Sequence, residues 1–448
     1  MGKKYRVGCK SLDEFGKGNI VFNNKPFSVP YMLPGEKGDI ELVYKANETG
    51  AKLVSLDKAS AERVEVKCPV YESCGGCQVM HLKYQAQLDW KQKKIEELFP
   101  EEAAKGLIHP IISMEEPWNY RHKIYASFSN AKKGELIAGI YEENSHKVVK
   151  TEQCLIQHTL ANQIIKCVAD IARKGKIPAY NEDRQTGVLR HVYIRIGEKT
   201  GQVMVVLVTG SREFKEKNVF VDGLRKKFPQ ITTILHSVNS AKTSMVLGKK
   251  ETVLYGPGII EDELCGLKFE ISAQSFYQVN PVQTEKLYET AVNFAGLTGK
   301  ETVLDAYCGI GTISMVAAKQ AGEVLGVEVN EAAVADAKKN AKKNNCNNVR
   351  FIAADAGEFM VQLAKDKQAQ KPEVVFMDPP RSGSDAKFLN SVAQLAPKKI
   401  VYISCNPVTQ KNDINVLKKK GYTVEKIQAV DCFCHTWHVE NIALLVRK

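Results

Sequence analysis

One cysteine in the C-terminal part of the chain stands where a nucleophile could be placed, between an apolar run and a proline. The β-branched and aromatic run Ile400–Ile403 predicts a buried strand, and Cys405 follows it closely. Pro407 suits the first turn of a helix over Thr409–Lys420, which Gly421 ends. We therefore expect Cys405 at a ligand-binding sheet edge and beside a helix N-terminus, which favours a thiolate. The alternative is a buried cysteine that packs as a small hydrophobic side chain.

A carboxylate and two histidines stand just before the last apolar run of the chain, within residues 431–440. Glu440 is a candidate general base if its carboxylate is partly desolvated. His438 is the alternative base, with Glu440 orienting its ring. Either His435 or His438 could instead be a hydrogen-bonded structural histidine. This stretch supplies a candidate proton acceptor for the chemistry of Cys405.

A glycine-rich turn, Asp305–Thr312, follows a predicted strand and opens a predicted helix. Its Gly309 and Gly311 allow a tight turn and a close approach of the backbone to a ligand. Glu328 ends the next strand, where a carboxylate can bind ribose hydroxyls. The third glycine of the dinucleotide fingerprint is absent, since Ser314 takes its place. An adenosine ligand without a pyrophosphate, S-adenosylmethionine, therefore fits better than a dinucleotide.

Asp378 is a further acid at a predicted strand end. It follows the apolar run Val374–Met377 and precedes two prolines and Arg381. The prolines stiffen the loop, so the carboxylate is predicted to be an acceptor at the sheet edge. An ordinary strand-ending turn is the alternative interpretation of an Asp-Pro sequence.

Four cysteines have the spacing of a metal centre: Cys68, Cys74 and Cys77 lie close together, and Cys154 lies far downstream. Two glycines between Cys74 and Cys77 let their thiolates converge. Four thiolates suit a [4Fe–4S] cluster or zinc. The five-residue spacing and the lone distant fourth cysteine favour the cluster. The alternative is that these cysteines only pack as buried side chains.

The elements that must position these residues fall into three units. Residues 1–58 contain short strands broken by Gly, Asn and Pro, which predict a small β-barrel of the OB type that often holds oligonucleotides. Residues 59–260 hold the four cysteines among mixed strands and helices, which predicts an α+β domain. In residues 261–448, strands alternate with helices from about residue 280, which predicts a doubly wound α/β sheet.

The net charge of +12 is unevenly distributed along the chain. Residues 261–448 hold 23 Lys and Arg against 22 Asp and Glu, so residues 1–260 carry nearly the whole excess. Basic and aromatic residues also alternate over Trp118–Tyr125, and Arg190 and His191 stand together in a strand. Nucleic acid is therefore the expected partner.

No run of about 18 apolar residues is present and the basic first six residues lead into no apolar segment, so we expect a cytoplasmic chain without a membrane span.

Taken together, these motifs resemble those of the RNA (uracil-5-)-methyltransferases. The resemblance rests on Asp378–Gly383, Ile400–Thr409, Phe433–Glu440, Ser275–Asn280 and Thr186–His191. It extends from the N-terminal barrel, which is similar to a TRAM domain, to the last strand. The barrel and the four cysteines resemble the iron–sulfur branch, which acts on 23S ribosomal RNA, rather than the shorter transfer-RNA branch. One departure is Cys434, where the family usually has proline.

The resemblance implies a Rossmann-like class I methyltransferase domain and roles for individual residues. Cys405 would add to C6 of uracil, C5 would take the methyl group of S-adenosylmethionine, and Glu440 would remove the C5 proton. The resemblance further implies that the cofactor site is lined by Gln278, Tyr307, Glu328 and Asp378, and that a [4Fe–4S] cluster is held by Cys68, Cys74, Cys77 and Cys154.

Three alternatives stay open on the sequence. The same chemistry could act on the T loop of transfer RNA. An oxidoreductase that uses the cluster for electron transfer would need a flavin or nicotinamide site, which the missing third glycine disfavours. An RNA-binding protein with an inactive methyltransferase domain is disfavoured by the intact Cys405 and Glu440.

Overall fold

The computed structural model describes residues 3–45, 48–131, 135–143, 145–243 and 245–448, so Met1 and Gly2 of the basic N-terminus lie outside the described residues. The N-terminal unit has the strands β1 (Lys4–Gly8), β2 (Ser11–Leu12), β3 (Gly18–Phe22), β4 (Lys25–Val29), β5 (Lys37–Lys45) and β6 (Glu48–Lys58). They form two antiparallel sheets, β1-β5-β6 and β2-β3-β4. Both sheets contribute to one small core, which includes Val7, Ile20, Val29 and Ile40, as the predicted barrel requires.

The middle of the chain contains a seven-stranded sheet. Its elements are α1 (Tyr84–Leu98), α2 (Pro100–Ala104), β7 (Ile108–Ile112), β8 (Lys123–Asn130), β9 (Leu136–Tyr141), β10 (Val148–Lys150), α3 (Thr159–Lys174), β11 (Leu189–Ile196), β12 (Val203–Thr209), α4 (Lys217–Lys227), β13 (Ile231–Val238) and β14 (Glu251–Tyr255). The strand order is β10-β9-β8-β11-β12-β13-β14. Helix α3 packs on this sheet because Ala161, Ile164 and Val168 repeat at helical spacing on one face.

The C-terminal part begins with a hairpin and continues as alternating helices and strands. Its elements are β15 (Ile260–Leu264), β16 (Leu267–Ile271), α5 (Pro281–Ala295), β17 (Thr302–Ala306), α6 (Thr312–Ala318), β18 (Glu323–Glu328), α7 (Glu331–Lys343), β19 (Val349–Ala353), α8 (Ala356–Lys365), β20 (Val374–Met377), α9 (Ala386–Leu395), β21 (Lys399–Ser404), α10 (Pro407–Lys418), β22 (Tyr422–Val430) and β23 (Glu440–Arg447). The sheet order is β19-β18-β17-β20-β21-β23-β22-β7, and its first five strands are parallel. The predicted doubly wound α/β sheet is present, with an antiparallel strand, β23, beyond its parallel core.

Two elements from the middle stretch pack on the C-terminal sheet. Strand β7 pairs in parallel with β22 and forms the sheet edge. Helix α1 buries Ile95 and Phe99 in the core that surrounds Tyr402 of β21. The segment 84–112 therefore belongs in space with the methyltransferase sheet, although it precedes the seven-stranded sheet in sequence.

The turn after β21 has the predicted form. Helix α10 begins at Pro407, and the side chain of Asn406 caps it by accepting the N–H of Val408. Gly421 follows α10 with a φ of +93°, a conformation that suits glycine. Cys405 thus lies between the carboxyl end of β21 and the N-terminus of α10. Within the described residues, no helix combines the length and apolar character needed to cross a bilayer.

Candidate active site and cysteine cavity

Five neighbouring strands deliver polar side chains to one edge of the C-terminal sheet. Tyr307 follows β17, Glu328 ends β18, Asp378 follows β20 and Cys405 follows β21, all at the carboxyl ends of parallel strands. Strand β23 runs antiparallel to β21, so its first residue, Glu440, starts at the same edge. The sequence predicted this meeting from the strand ends, and the topology produces it.

The pairing of β21 with β23 brings the candidate nucleophile and base together. The register ends with Ser404 opposite Asn441, so Cys405 and Glu440 are the next residues of the two chains at this edge. The two groups also interact electrostatically, since the Glu440 carboxylate contributes to raising the pKa of Cys405. The thiol and the carboxylate therefore each lie one residue from a paired position of the sheet.

The glycine-rich turn closes around the Glu328 carboxylate. The N–H of Gly309 donates to Glu328 Oε2 at 3.1 Å. Gly311 has a φ of +81°, and a Cβ there would lie 2.6 Å from the Phe351 ring. Tyr307 also has a positive φ, of +68°. This turn is therefore shaped for close approach of a ligand, and only glycine fits at position 311.

Asp305 and Gln278 add two polar groups beside this turn. Asp305 is 1% exposed; the Ser314 hydroxyl donates to one of its oxygens, and the other has no hydrogen-bond partner among the described residues. Burial raises the pKa of Asp305 to about 7. Gln278 hydrogen-bonds Tyr288, whose hydroxyl also meets Thr312 at the start of α6. Asp305 was given no role from the sequence, although an acid just before the glycine turn was the available signal.

Cys405 lies partly buried among charges of both signs. Burial raises the pKa of its thiol to about 11; Glu440 and Asp378 act in the same direction, and the cation of Arg381 opposes them. The expectation that the helix N-terminus would favour the thiolate is wrong for the chain alone, because burial and two carboxylates outweigh it. Arg381 had no role in the sequence prediction, and its position after Asp-Pro-Pro was the signal that could have indicated one.

Glu440 is nearly inaccessible, at 3% exposed. Burial raises the pKa of its carboxyl to about 8; Asp378 acts in the same direction and Arg381 against it. Burial likewise raises the pKa of Asp378 to about 7. A carboxylate with a pKa near 8 is a stronger base than an ordinary glutamate and still ionises close to neutral pH.

The two histidines of residues 431–440 have different surroundings. Burial lowers the pKa of His438 to about 3, helped first by the cation of Arg381. His435 stacks on Trp118 with 4.0 Å between ring centroids, and Gln87 hydrogen-bonds both its ring and its backbone N–H. His435 is therefore a structural histidine, and His438 is neutral and weakly basic. These pKa shifts favour Glu440 over His438 as the proton acceptor.

Helix α1 holds the catalytic loop, which we define as residues 431–439 between β22 and β23. Lys91 and Asp431 form a fully buried ion pair of 2.7 Å, and Lys91 also donates to the Phe433 carbonyl at 3.1 Å. The Tyr84 hydroxyl donates to the other oxygen of Asp431 at 2.9 Å. Cys434, which stands where proline is usual, is fully buried in this loop. Helix α1, more than 300 residues earlier in the chain, thus fixes the position of the loop that leads to Glu440.

Comparisons with known proteins identify the family. A sequence profile described as tRNA (uracil-5-)-methyltransferase matches residues 83–448. An uncharacterized RNA methyltransferase of Halalkalibacterium halodurans is 40% identical, with 99% of this chain and 96% of that protein covered. One of Staphylococcus aureus is 39% identical, with 98% and 96% covered. The chain belongs to the RNA uracil-5-methyltransferase family.

A solved structure supports the same conclusion for the whole length of this RNA uracil-5-methyltransferase. The crystal structure of Pyrococcus abyssi tRNA (uracil-54, C5)-methyltransferase with S-adenosyl-L-homocysteine has a TM-score of 0.79 and 26% identity, and covers 99% of this chain and 100% of that one. The predicted family, fold class, S-adenosylmethionine-dependent RNA uracil methylation and RNA partner are confirmed. The class of RNA and the roles of individual residues stay predictions.

The four predicted cluster cysteines of this methyltransferase line one cavity of about 100 Å³; they are Cys68, Cys74, Cys77 and Cys154. The N–H of Gly76 points at the Cys74 sulfur, 3.4 Å away. A Cβ on Gly75 would lie 3.1 Å from the Cβ of Glu143, so a side chain there would press on that residue. In the part of the chain that the structure describes, no three His, Cys, Asp or Glu side chains are grouped closely enough to hold one metal ion. The cysteines converge, and the cluster itself stays a prediction.

The basic and aromatic residues that suggested an RNA partner differ in exposure. Tyr125 is 43% exposed, whereas Arg121 and Lys123 line the cysteine cavity. Arg190 is 2% exposed and is held by both carboxylate oxygens of Glu182 at 2.7 Å. His191 is 4% exposed and close to the Ser127 hydroxyl at 3.0 Å. Because Arg190 and His191 are buried and already have partners, they do not form a surface for phosphates.

Proposed function

We propose that this chain methylates C5 of a uridine in 23S ribosomal RNA, with Cys405 as the nucleophile and Glu440 as the general base. The meeting of these two side chains at one sheet edge is the observation that carries the proposal. Asp378 and Arg381 stand close enough to shift the pKa of both. A thiol and a buried carboxylate at a ligand-binding edge suit an addition followed by an elimination.

Uracil C5 is too weak a nucleophile for direct methylation. Addition of Cys405 to the ring would make C5 more nucleophilic. Its thiol proton leaves to solvent, and the thiolate forms a bond to C6, which gives an enolate that is nucleophilic at C5. S-adenosylmethionine supplies the methyl group that C5 takes up. Glu440 then removes the C5 proton, the electrons of that C–H bond restore the C5–C6 double bond, and the C6–S bond breaks. The positive charge of Arg381 would stabilise the thiolate before addition and after release.

We assign the cofactor site to Gln278, Tyr307, Glu328 and Asp378. Glu328 is oriented by the Gly309 N–H at the end of a strand, where a carboxylate can accept ribose hydroxyls. The negative charge that Asp378 acquires on ionisation suits the cationic methionine part of the cofactor. Gln278 supports the same region through its bond to Tyr288 at the start of α6.

The four cysteines would hold a [4Fe–4S] cluster that joins the segment 68–77 to Cys154. The guanidinium of Arg121 acts on the thiols of Cys77 and Cys154, and its Nε has no hydrogen-bond partner among the described residues. A buried cation beside four neutral thiols is costly, whereas four metal-bound thiolates are net negative.

The spacing of the cysteines favours the cluster over zinc. Five residues separate Cys68 from Cys74, and the fourth cysteine, Cys154, lies alone far downstream. This spacing fits the ligands of an iron–sulfur cluster better than those of a zinc site.

Three functional units follow from this assignment. Residues 1–58 would be a TRAM-like RNA-binding barrel, residues 59–260 the cluster-bearing α+β domain, and residues 261–448 the methyltransferase domain. The basic excess N-terminal to residue 261 supports an RNA path over the first two units. The segment 84–112 would join the second unit to the third, because β7 and α1 pack on the methyltransferase sheet. We place this enzyme in the cytoplasm, where RNA is modified.

Transfer RNA is the second candidate substrate. The observation that favours it is the full-length likeness to the Pyrococcus abyssi protein, which is named as a transfer-RNA methyltransferase. The observation that favours 23S ribosomal RNA is the convergence of four cysteines on one cavity beside an N-terminal barrel, which resembles the iron–sulfur branch.

Mass spectrometry of ribosomal and transfer RNA separates these candidates. Cells with the gene, without it, and with only the Cys405→Ala variant are compared, the last being a control with the full-length chain. We expect 5-methyluridine to disappear from 23S fragments in the second and third strains. Loss from the transfer-RNA T loop alone would replace the ribosomal substrate, and no loss from either RNA would refute the methylation.

A further inference from the structure

A turn of the N-terminal barrel reaches the catalytic loop. This barrel turn, residues 13–17, is closed by Asp13, whose carboxylate accepts the N–H of Phe15 at 2.9 Å. Phe15 packs edge-to-face against Trp437, with ring centroids 5.2 Å apart and planes at 84°. Trp437 stands three residues before Glu440 in the chain. The barrel therefore contacts the segment that delivers the proposed base.

A lysine of α1 joins the barrel turn to the catalytic loop. The Lys94 ammonium donates to the Glu14 carbonyl at 2.9 Å and to the Trp437 carbonyl at 3.4 Å. The same ammonium lies 5.0 Å from the centre of the Trp437 ring, within the range of a cation–π interaction. The neighbouring Lys93 points away toward Glu97 and is 71% exposed. One cation thus holds both segments, and the lysine beside it does not.

The barrel turn fits closely against two supports of the catalytic loop. A Cβ on Gly16 would lie 2.5 Å from Val79 and 3.3 Å from Trp90 of α1. The N–H of Val79 donates to the His435 carbonyl at 3.1 Å. Any side chain at Gly16 would therefore push the turn away from the surface that also carries the loop.

We propose that the barrel turn is a positioning element of the methylation site, in which Phe15 and Lys94 act through Trp437 to fix the general base. The inference rests on the proposed roles of the nucleophile and the base. Trp437 lies 3.9 Å from His438 between ring centroids, so displacement of its ring is passed along the chain to Glu440. Cys405 lies on a different strand and is not held by the turn, so thiolate addition survives when proton removal slows. A misplacement of about 1 Å can cost about 100-fold in rate.

Three variants with matched controls test this inference in the full-length protein. Gly16→Ala should displace the turn, because its Cβ would collide with Val79. Gly35→Ala is the control: Gly35 lies in the same barrel and has a φ of +82°, close to the +80° of Gly16, but a Cβ there would meet nothing within 4 Å. Lys94→Met removes the bridge, and Lys93→Met removes an exposed neighbouring charge. Phe15→Ala removes the ring contact, and Phe15→Leu keeps an apolar contact with it.

We expect the Gly16, Phe15→Ala and Lys94 variants to form methylated RNA at least about tenfold more slowly in single turnovers. A covalent protein–RNA band should accumulate in denaturing gels, while RNA affinity stays within about twofold and S-adenosylmethionine binding is unchanged. Gly35→Ala and Lys93→Met should match the native protein, and Phe15→Leu should recover most of the rate.

Glu440→Gln is measured alongside as the reference for a stalled elimination. If it accumulates the covalent band and the turn variants do not, the positioning role is overturned and the proposed function stands. If the turn variants lose rate only in proportion to RNA affinity, the barrel merely binds RNA and the inference is likewise overturned. Absence of the band in Glu440→Gln itself would overturn the proposed function.

Discussion

The Glu440→Gln variant is expected to remain covalently attached to methylated RNA. Glutamine fills nearly the same buried volume but cannot accept the C5 proton, so addition and methyl transfer proceed and elimination stalls. Positioned general bases contribute about 10²–10⁴-fold to proton transfer, and elimination should slow by a factor in that range. The adduct then becomes the dominant RNA species after a single turnover.

The pH dependence of adduct decay distinguishes Glu440 from His438. Glu440, with a pKa raised to about 8 by burial, is about one-tenth ionised at pH 7 and about nine-tenths ionised at pH 9. Decay of the adduct in the native enzyme should therefore speed up about tenfold over this range. His438, with its pKa lowered to about 3, is neutral throughout. A histidine base would consequently give a flat profile between pH 7 and pH 9.

The assay uses radiolabelled RNA, quenched at intervals in denaturing detergent and resolved by electrophoresis. The slow band is quantified for the native protein, Glu440→Gln and His438→Ala at each pH. The double variant Cys405→Ala, Glu440→Gln is the control and should show no band, because the sulfur that forms the bond is absent. A flat decay profile, or a band in His438→Ala as strong as in Glu440→Gln, would refute the assignment of Glu440.

Three further outcomes can be measured. Protein isolated without oxygen should be brown and should contain about four iron atoms per chain. Arg121→Met should retain less iron, because the cluster thiolates lose their buried cation. A colourless protein with stoichiometric zinc would contradict the cluster. Lys91→Ala should lower the free energy of unfolding in urea by about 3–5 kcal/mol, because it leaves Asp431 buried without its partner, whereas Lys93→Ala should change it little. Relative to the native protein, Asp305→Asn should gain Tm as pH rises from about 5 to 8, because the folded-state pKa of Asp305, about 7, lies above its unfolded value and native stability is lost as pH passes through it. A Tm difference between the two proteins that stays constant with pH would contradict this origin.

Local sequence signals were sufficient to place the two proposed catalytic groups. The run Ile400–Ile403 followed by Cys405 and Pro407 specifies a strand, a position at the sheet edge and a helix start within a few residues, and the structure has all three. Glu440 was placed just before the last strand and is its first residue. Such predictions succeed because propensity, capping and proline restrictions act over distances of a few residues.

The contacts that orient these groups were not predictable in this way. The pair Lys91–Asp431 joins residues 340 positions apart, and β7 meets β22 at a similar separation. Nothing in the local sequence of α1 indicates that one lysine is buried against an acid and that its neighbours are not. The raised pKa of Cys405 was not predictable for the same reason, since it depends on burial and on two carboxyl groups that two other strands bring to this edge.

The raised pKa values of Cys405, Asp378 and Glu440 share one physical origin, which bears on the order of events. Each group is held where burial disfavours its anion, and each anion would be repelled by the others. The chain alone therefore keeps its nucleophile as an unreactive thiol, protected from alkylation and oxidation. At the site proposed for S-adenosylmethionine, the cationic part of the cofactor would lie beside Asp378 and would act with Arg381 to lower the pKa of Cys405. We therefore expect the thiol to ionise more readily, and addition to uracil to be faster, when the cofactor is bound.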